Sequence, residues 1–167
     1  TGGTAVFAAM EGSRPVLAEV QALVAPSAYG TPRRSIVGWD SNRLAMLLAV
    51  LESRCGVSLG GRDVYLSVAG GYRMTEPAGD LAAAAALLTS ASSNPGPSKA
   101  IYFGELALSG ATRPVSRMEQ RLKEAERLGF EHAFVPDGSP TAVEGLTITP
   151  IKRLSQLVEL IAPEAAS

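Results

Sequence analysis

Few side chains in this sequence of 167 residues could carry acid–base or nucleophilic chemistry. There is one cysteine, Cys55, and one histidine, His132. Those counts exclude a disulfide framework, a cysteine zinc site and a two-histidine metal site within these residues. A serine–histidine–aspartate mechanism would have to use His132, whose neighbours Phe130 and Phe134 give it a structural reading. Cys55, closing an apolar helix, reads as an inert thiol. The lysines Lys99, Lys123 and Lys152 are the only candidates for the base of a serine–lysine pair. Glu76, Asp80 and Glu105 could gather as a carboxylate cluster, although capping of the following helix by Glu76 or Asp80 is the simpler reading. No Gly-x-x-x-x-Gly-Lys-Ser/Thr loop occurs, so the chain is not expected to hydrolyse ATP alone. Gly60-Gly61 and Gly70-Gly71 read as turns.

Arginine dominates the basic chemistry, with 12 residues against three lysines, inside a formal net charge of −1. Arg33, Arg34, Arg43, Arg54, Arg62 and Arg73 fall in one stretch, opposed there by Asp40, Glu52 and Asp63. Arg113, Arg117, Arg121 and Lys123 form a second cluster with Glu119 opposing. A near-neutral chain can therefore still present a basic face. Arginine suits bidentate phosphate contact, while 5% aromatic content makes a base-stacking surface a poor expectation. The candidates for DNA backbone contact are Arg33, Arg34, Arg43, Arg73, Arg113 and Arg117. Arg33 and Arg34 adjoin a Pro/Gly loop. Arg43 has pairing with Asp40 as its structural alternative. Arg117 and Arg121 lie at i, i+4, a spacing equally suited to pairing with Glu124 or with a neighbouring subunit.

The elements that must position these groups begin with strands. Thr4 to Met10 is β-prone, and Val16 to Val24 alternates with period two. Arg33 to Val37 is expected as a returning strand that closes a hairpin through a long proline-bearing loop. Asp40 or Ser41 caps a helix whose apolar face is Leu44, Leu47, Leu48 and Leu51, ended by Gly56. Asp63 to Val68 is a buried strand. Pro77 precedes a helix from about Ala78 to Ala91, apolar nearly all round and so expected at the centre. Ala100 to Phe103 is a strand, and Gly104 to Pro114 a hairpin punctuated by Gly110. Ser116-x-x-Glu119 has the form of a capping box for a third helix with Met118, Leu122 and Ala125 inward. Glu131 to Val135 and Leu146 to Thr149 are short strands, Arg153 to Ile161 is a final helix, and Pro163 onward is a tail. With 46% hydrophobic residues, 26 of them alanine, a single α+β domain over 1–167 follows. No apolar run is long enough for a membrane span and no basic-then-apolar leader opens the sequence, so a cytoplasmic setting without a membrane partner is expected.

Two segments carry a resemblance. Gly70-Gly71-Tyr72-Arg73-Met74-Thr75-Glu76-Pro77-Ala78-Gly79-Asp80-Leu81, and Gly104-Glu105-Leu106-Ala107-Leu108-Ser109-Gly110 running through Pro114 to Ala125, are similar to the proteolytic domain of the Lon family. That resemblance implies a Lon-like fold of the ribosomal protein S5 domain 2-like type. It also places Ala78 where the family has its nucleophilic serine and Glu119 where it has its lysine, so no catalytic dyad is expected. Tyr29-Gly30-x-Pro32-Arg33-Arg34, Gly38-Trp39-Asp40 through Leu51 and Glu76-Pro77-Ala78 further resemble the C-terminal Lon-like domain of the bacterial RadA (Sms) family. From about Thr4 to Leu160 the likeness implies a domain excised from a longer RecA-related DNA repair ATPase. That protein would act as a hexameric ring in branch migration, on single-stranded or branched DNA, with a RecA-type recombinase as a further partner. No cofactor is expected in this domain; ATP, Mg and Zn would belong to the missing N-terminal parts. The alternatives are a pure oligomerisation scaffold and a serine–lysine peptidase of altered mechanism.

Overall fold

Strand β1 (Thr4–Glu11) turns back at Gly12 into the long strand β2 (Arg14–Pro26). The turn is left-handed at Gly12, φ 60°, a conformation glycine adopts without strain. Period two holds along β2: Ala18, Val20 and Val24 are buried while Leu17, Glu19, Gln21 and Leu23 face outward. A computed structural model describes residues 2–28, 30–69 and 73–166. The Gly70-Gly71 turn lies outside the described residues.

The expected hairpin between β2 and β3 (Arg34–Val37) does not form. Strand β4 (Arg62–Val68) lies between them, antiparallel to β2 and parallel to β3, giving the order β1-β2-β4-β3. The cause is α1 (Ser41–Cys55), which links β3 to β4 as the crossover that parallel pairing requires. With Val64, Leu66 and Val68 buried, β4 takes the inner position, and β3, only half-buried at Ile36, becomes the edge. Asp40 caps α1 by accepting the Asn42 N–H at 2.8 Å, and Gly56 ends it with φ 70°.

A short 3-10 turn at Pro77–Gly79 leads into α2 (Asp80–Ser92), buried at every residue from Asp80 to Thr89. This central helix packs on β1 and β2, on β5 (Ala100–Tyr102) and on α4 (Leu154–Ile161). Beyond it, β5, β8 (His132–Pro136) and β9 (Thr147–Ile151) form a parallel sheet. The hairpin β6 (Glu105–Leu106) and β7 (Thr112–Arg113) and helix α3 (Met118–Arg127) lie in the β5–β8 connection. The architecture is mixed α/β, consistent with the expected α+β class.

Two local expectations are corrected. Ser116 and Glu119 do not form a capping box: Arg117, in the left-handed region at φ 56°, is the N-cap, without a side-chain cap bond. Ser116 stands one residue outside, its carbonyl accepting from Arg121 Nε at 3.0 Å, while Glu119 pairs with Lys123. The C-terminal tail is ordered as a 3-10 turn, Pro163–Ala165, packed against α2.

His132 stacks on Phe134 with ring centroids 4.4 Å apart and meets Thr149 Oγ1 at 2.8 Å. Burial pushes its imidazole below the ordinary value of 6.5. The unfolded chain therefore takes up the proton more readily, and stability falls as pH drops through and below 6.5. Urea unfolding compared at pH 7.5 and 5.5 is expected to give a smaller loss in His132→Gln than in the parent. In the core, Ala84→Leu overfills the helix–sheet contact and is expected to lower unfolding free energy by about 1–3 kcal/mol in the same assay.

Candidate functional site

Ala78 sits on the 3-10 turn that opens α2, 7% exposed, in the lining of a cleft of about 270 Å³. Glu76, Glu105, Val115, Ser116 and Arg121 are among its walls. The turn is fixed from both sides. On one side Glu76 receives Arg121 Nη1 at 3.1 Å and Nη2 at 2.8 Å, and its Oε1 also accepts the Met10 N–H at 2.7 Å. Arg121 is 1% exposed, and its guanidinium also donates to the Ala8 carbonyl at 2.8 Å. On the other side the buried Asp80 takes Arg43 through both oxygens, Nε to Oδ1 at 2.8 Å, and accepts the Leu106 N–H at 2.9 Å. Backbone bonds from Gly104 N–H to Ala78 O and from Leu81 N–H to Gly104 O, both 3.0 Å, lock the turn against the strand region that follows β5.

Glu76 is the N-cap of the 3-10 turn and Asp80 lies in the first turn of α2, but neither carboxylate makes a side-chain cap bond. Both carboxylates are engaged across the fold instead. Burial pushes the Asp80 carboxyl upward against the pull of Arg43 and the Leu106 N–H, and the hydrogen bond to Asp80 raises Arg43. Chemically the cleft offers the Ala78 methyl, which carries no nucleophile. The cation lining it is Arg121, whose guanidinium is committed to Glu76 and the Ala8 carbonyl. Among the described residues the Ser116 hydroxyl forms no hydrogen bond to a titratable side chain. Glu119 is exposed, outside the cleft, and lowered in pKa by its hydrogen bond to Lys123, 2.9 Å away. Among the described residues no group of three or more His, Cys, Asp and Glu side chains could hold a metal.

The six arginines singled out from sequence divide by location. Arg33 immediately precedes β3 and Arg34 opens it, beside Arg62 at the start of β4, exposed at one end of that parallel pair. Arg34 donates to the carbonyls of Arg33, Gly60 and Arg62, which holds its guanidinium in place. At the other end of the pair, Arg43 is bound to Asp80 rather than to Asp40, and Arg73 is exposed. Arg113 pairs across the hairpin with Glu105 at 3.7 Å, and Arg117 is exposed at the N-cap of α3. These two flank the segment 114–116 that walls the cleft. Arg121 is not a surface partner of Glu124, which takes Arg127 instead at 2.7 Å. The pair of buried Arg121 with half-buried Glu76 is the feature that sequence reasoning missed. Its signal was present, because Arg121 falls on the inward line of Met118, Leu122 and Ala125, where a cation needs a buried partner.

A family model described as subunit ChlI of Mg-chelatase matches residues 43–139, a span from Arg43 and Asp80 through Arg121. The DNA repair protein RadA of Brucella abortus (strain 2308) is 58% identical over 165 residues, covering 99% of this chain and 35% of that protein. RadA of Rickettsia prowazekii (strain Madrid E) is 49% identical over 95% of the chain and 35% of its own length. RadA of Aquifex aeolicus (strain VF5) is 43% identical over 95% of the chain and 36% of its own length. The chain thus spans about a third of the length of these curated relatives. With the family model covering more than half of it and the RadA likeness running nearly its whole length, the chain belongs to the family described as subunit ChlI of Mg-chelatase, in the company of the RadA DNA repair proteins.

Proposed function

We propose that this chain is a Lon-like domain that has no peptidase activity and serves a RecA-related DNA repair ATPase, scaffolding a hexameric ring and touching the DNA backbone during branch migration. The observation that carries the reading is Ala78, a methyl lining a cleft whose cation is an arginine held by Glu76. Relatives named DNA repair protein support the repair setting. On this reading residues 1–167 are one domain of a longer cytoplasmic protein. ATP, Mg and Zn chemistry belongs to its other parts, and a RecA-type recombinase is a further partner.

Contact with DNA would run through exposed guanidinium groups, Arg33, Arg34, Arg73, Arg113 and Arg117, in a salt-sensitive, sequence-tolerant manner. Arg43 contributes to the fold through Asp80 and is the least available of the six. The exposed Glu105–Arg113 pair is weak enough to exchange for a phosphate.

A second reading, an oligomerisation scaffold that leaves DNA to the ATPase part, is favoured by the outer face of the four-stranded sheet. Leu23 and Val37 are 57% and 61% exposed there and border a groove of about 240 Å³ with Tyr65. Light scattering together with a gel-shift assay separates the two: a hexamer that retards no duplex at low salt favours the scaffold.

Replacing Arg33, Arg34, Arg73, Arg113 and Arg117 by glutamine is expected to lower the dependence of log affinity on log salt by about 1 for each phosphate no longer neutralised. Unchanged affinity and slope in the combined variant would overturn the DNA role. In the cleft, Glu76→Gln leaves Arg121 buried without its counter-charge and is expected to cost about 3 kcal/mol in urea unfolding. Neither parent nor variant is expected to cleave a fluorogenic peptide, and turnover by the parent would refute the non-proteolytic assignment.

A further inference from the structure

We propose that the pocket between the end of α1, the turn 107–110 and the start of α4 binds a single phosphate group through Arg54 and Arg153. The inference does not depend on the DNA role of the arginines named above.

The pocket measures about 140 Å³ and is lined by Arg54, Ser109, Gly110, Arg153 and Ser155, with no carboxylate among them. That volume is below the roughly 300 Å³ at which sites for drug-sized ligands begin, so it suits one small anion rather than a whole nucleotide. Arg43, Arg113, Arg121 and Arg127 each stand in an ion pair with their own carboxylate. Among the described residues, Arg54 and Arg153 do not. Arg54 Nε donates to the Leu108 carbonyl at 3.4 Å, and Arg153 Nη1 to the Ser109 carbonyl at 3.5 Å. These are long bonds to neutral acceptors, and they leave most of both guanidinium forks available. Because Leu108 and Ser109 are consecutive, the two forks are brought to the same turn. Two cations gathered without a counter-charge are favoured when an anion sits between them.

The frame of the pocket is rigid. The Gly110 N–H donates to the Ala107 carbonyl and the Ala107 N–H to the Ala111 carbonyl, both at 2.9 Å. The Gly110 carbonyl accepts the Leu154 N–H at 2.8 Å, and Ala111 bridges to Arg153. Gly110 has φ 89°, and a Cβ there would stand 3.3 Å from Cβ of Arg54, so glycine lets the arginine stem lie flat on the turn. Ser109 Oγ accepts the Ala111 N–H at 3.3 Å, leaving its own proton to donate into the pocket. Ser155 supplies a second hydroxyl at the lining.

The test is a titration of this chain with inorganic phosphate at constant ionic strength, followed by backbone amide NMR. Saturable shifts at Ser109, Gly110 and Ser155 are expected. Arg54→Gln and Arg153→Gln should each weaken binding about tenfold with the rest of the spectrum unchanged, whereas Arg62→Gln should not alter it. Shifts that fail to saturate, or that persist unchanged in both variants, overturn the site. A short DNA duplex then identifies the source of the phosphate. Competition with inorganic phosphate for the same amides makes the ligand a backbone diester, and phosphate binding without competition makes it a free phosphate or monoester. Either result of that second arm leaves the site standing, while the glutamine variants of Arg33, Arg34, Arg73, Arg113 and Arg117 report separately on the DNA reading.

Discussion

Burial of α2 from Asp80 to Thr89 sets the conditions for everything packed around it. Ala82 to Ala86 carry only methyl groups, so the four-stranded sheet on one side and β5 and α4 on others can approach the helix backbone closely. A helix without a solvent face cannot leave polar groups unpaired. Its two buried polar residues, Asp80 and Thr89, stand near its ends and are both satisfied at a distance. Asp80 joins α1 through Arg43 and the β6 backbone through the Leu106 N–H. Thr89 Oγ1 donates to the Ala85 carbonyl and accepts the Gly3 N–H at 2.9 Å, anchoring the residue that leads into β1. The small side chains bring the layers together, and the polar ends fix their register.

That arrangement explains how the cleft keeps its shape. The turn bearing Ala78 is held by Glu76–Arg121 on one flank and by Asp80–Arg43 on the other, so its position depends on two ion pairs and not on a reacting group. A lysine base functions by losing its proton when desolvated, which makes it a poor permanent counter-ion. A guanidinium keeps its charge and forks around a carboxylate, which suits the reverse task of holding two elements together. Arg121 enters the space beside Ala78 in that second capacity, and the Glu119 carboxylate, two residues earlier on α3, turns outward to Lys123.

Sequence made the individual elements legible wherever burial imposes a period. The alternation of β2, the inward line of α1 and the all-round apolar character of α2 each follow from a single face or a full surface being buried. What it concealed were partners. Val37 and Ile36 identify a strand, but nothing local says that β4 will enter between β3 and β2 after a helical crossover. Ser116 and Glu119 have the spacing of a capping box, yet Arg121 draws the Ser116 carbonyl and places Arg117 at the cap. Arg43 looked ready to pair with Asp40, three residues away, and bonds Asp80, 37 residues away, because a buried carboxylate gains more from a cation than an exposed one does. The spacing of arginines therefore located clusters without ranking their members.

The ranking comes from the carboxylates. A net charge of −1 over 167 residues is uninformative until each cation is matched with its counter-charge. Arg43 and Arg121 are neutralised inside the fold and contribute little to the outer potential. The exposed pairs Arg127–Glu124, Lys123–Glu119 and Lys99–Glu131 balance locally at the surface. Among the described residues, guanidinium groups meet backbone carbonyls rather than carboxylates at Arg34 near the start of β3 and at Arg54 and Arg153 around the turn before β7. Carbonyl oxygens orient a guanidinium without cancelling its charge, so these are the positions at which an incoming phosphate supplies what the protein itself withholds. Salt screens such scattered sites over about 8–10 Å, which makes each weak alone and favours a ligand that meets several copies at once.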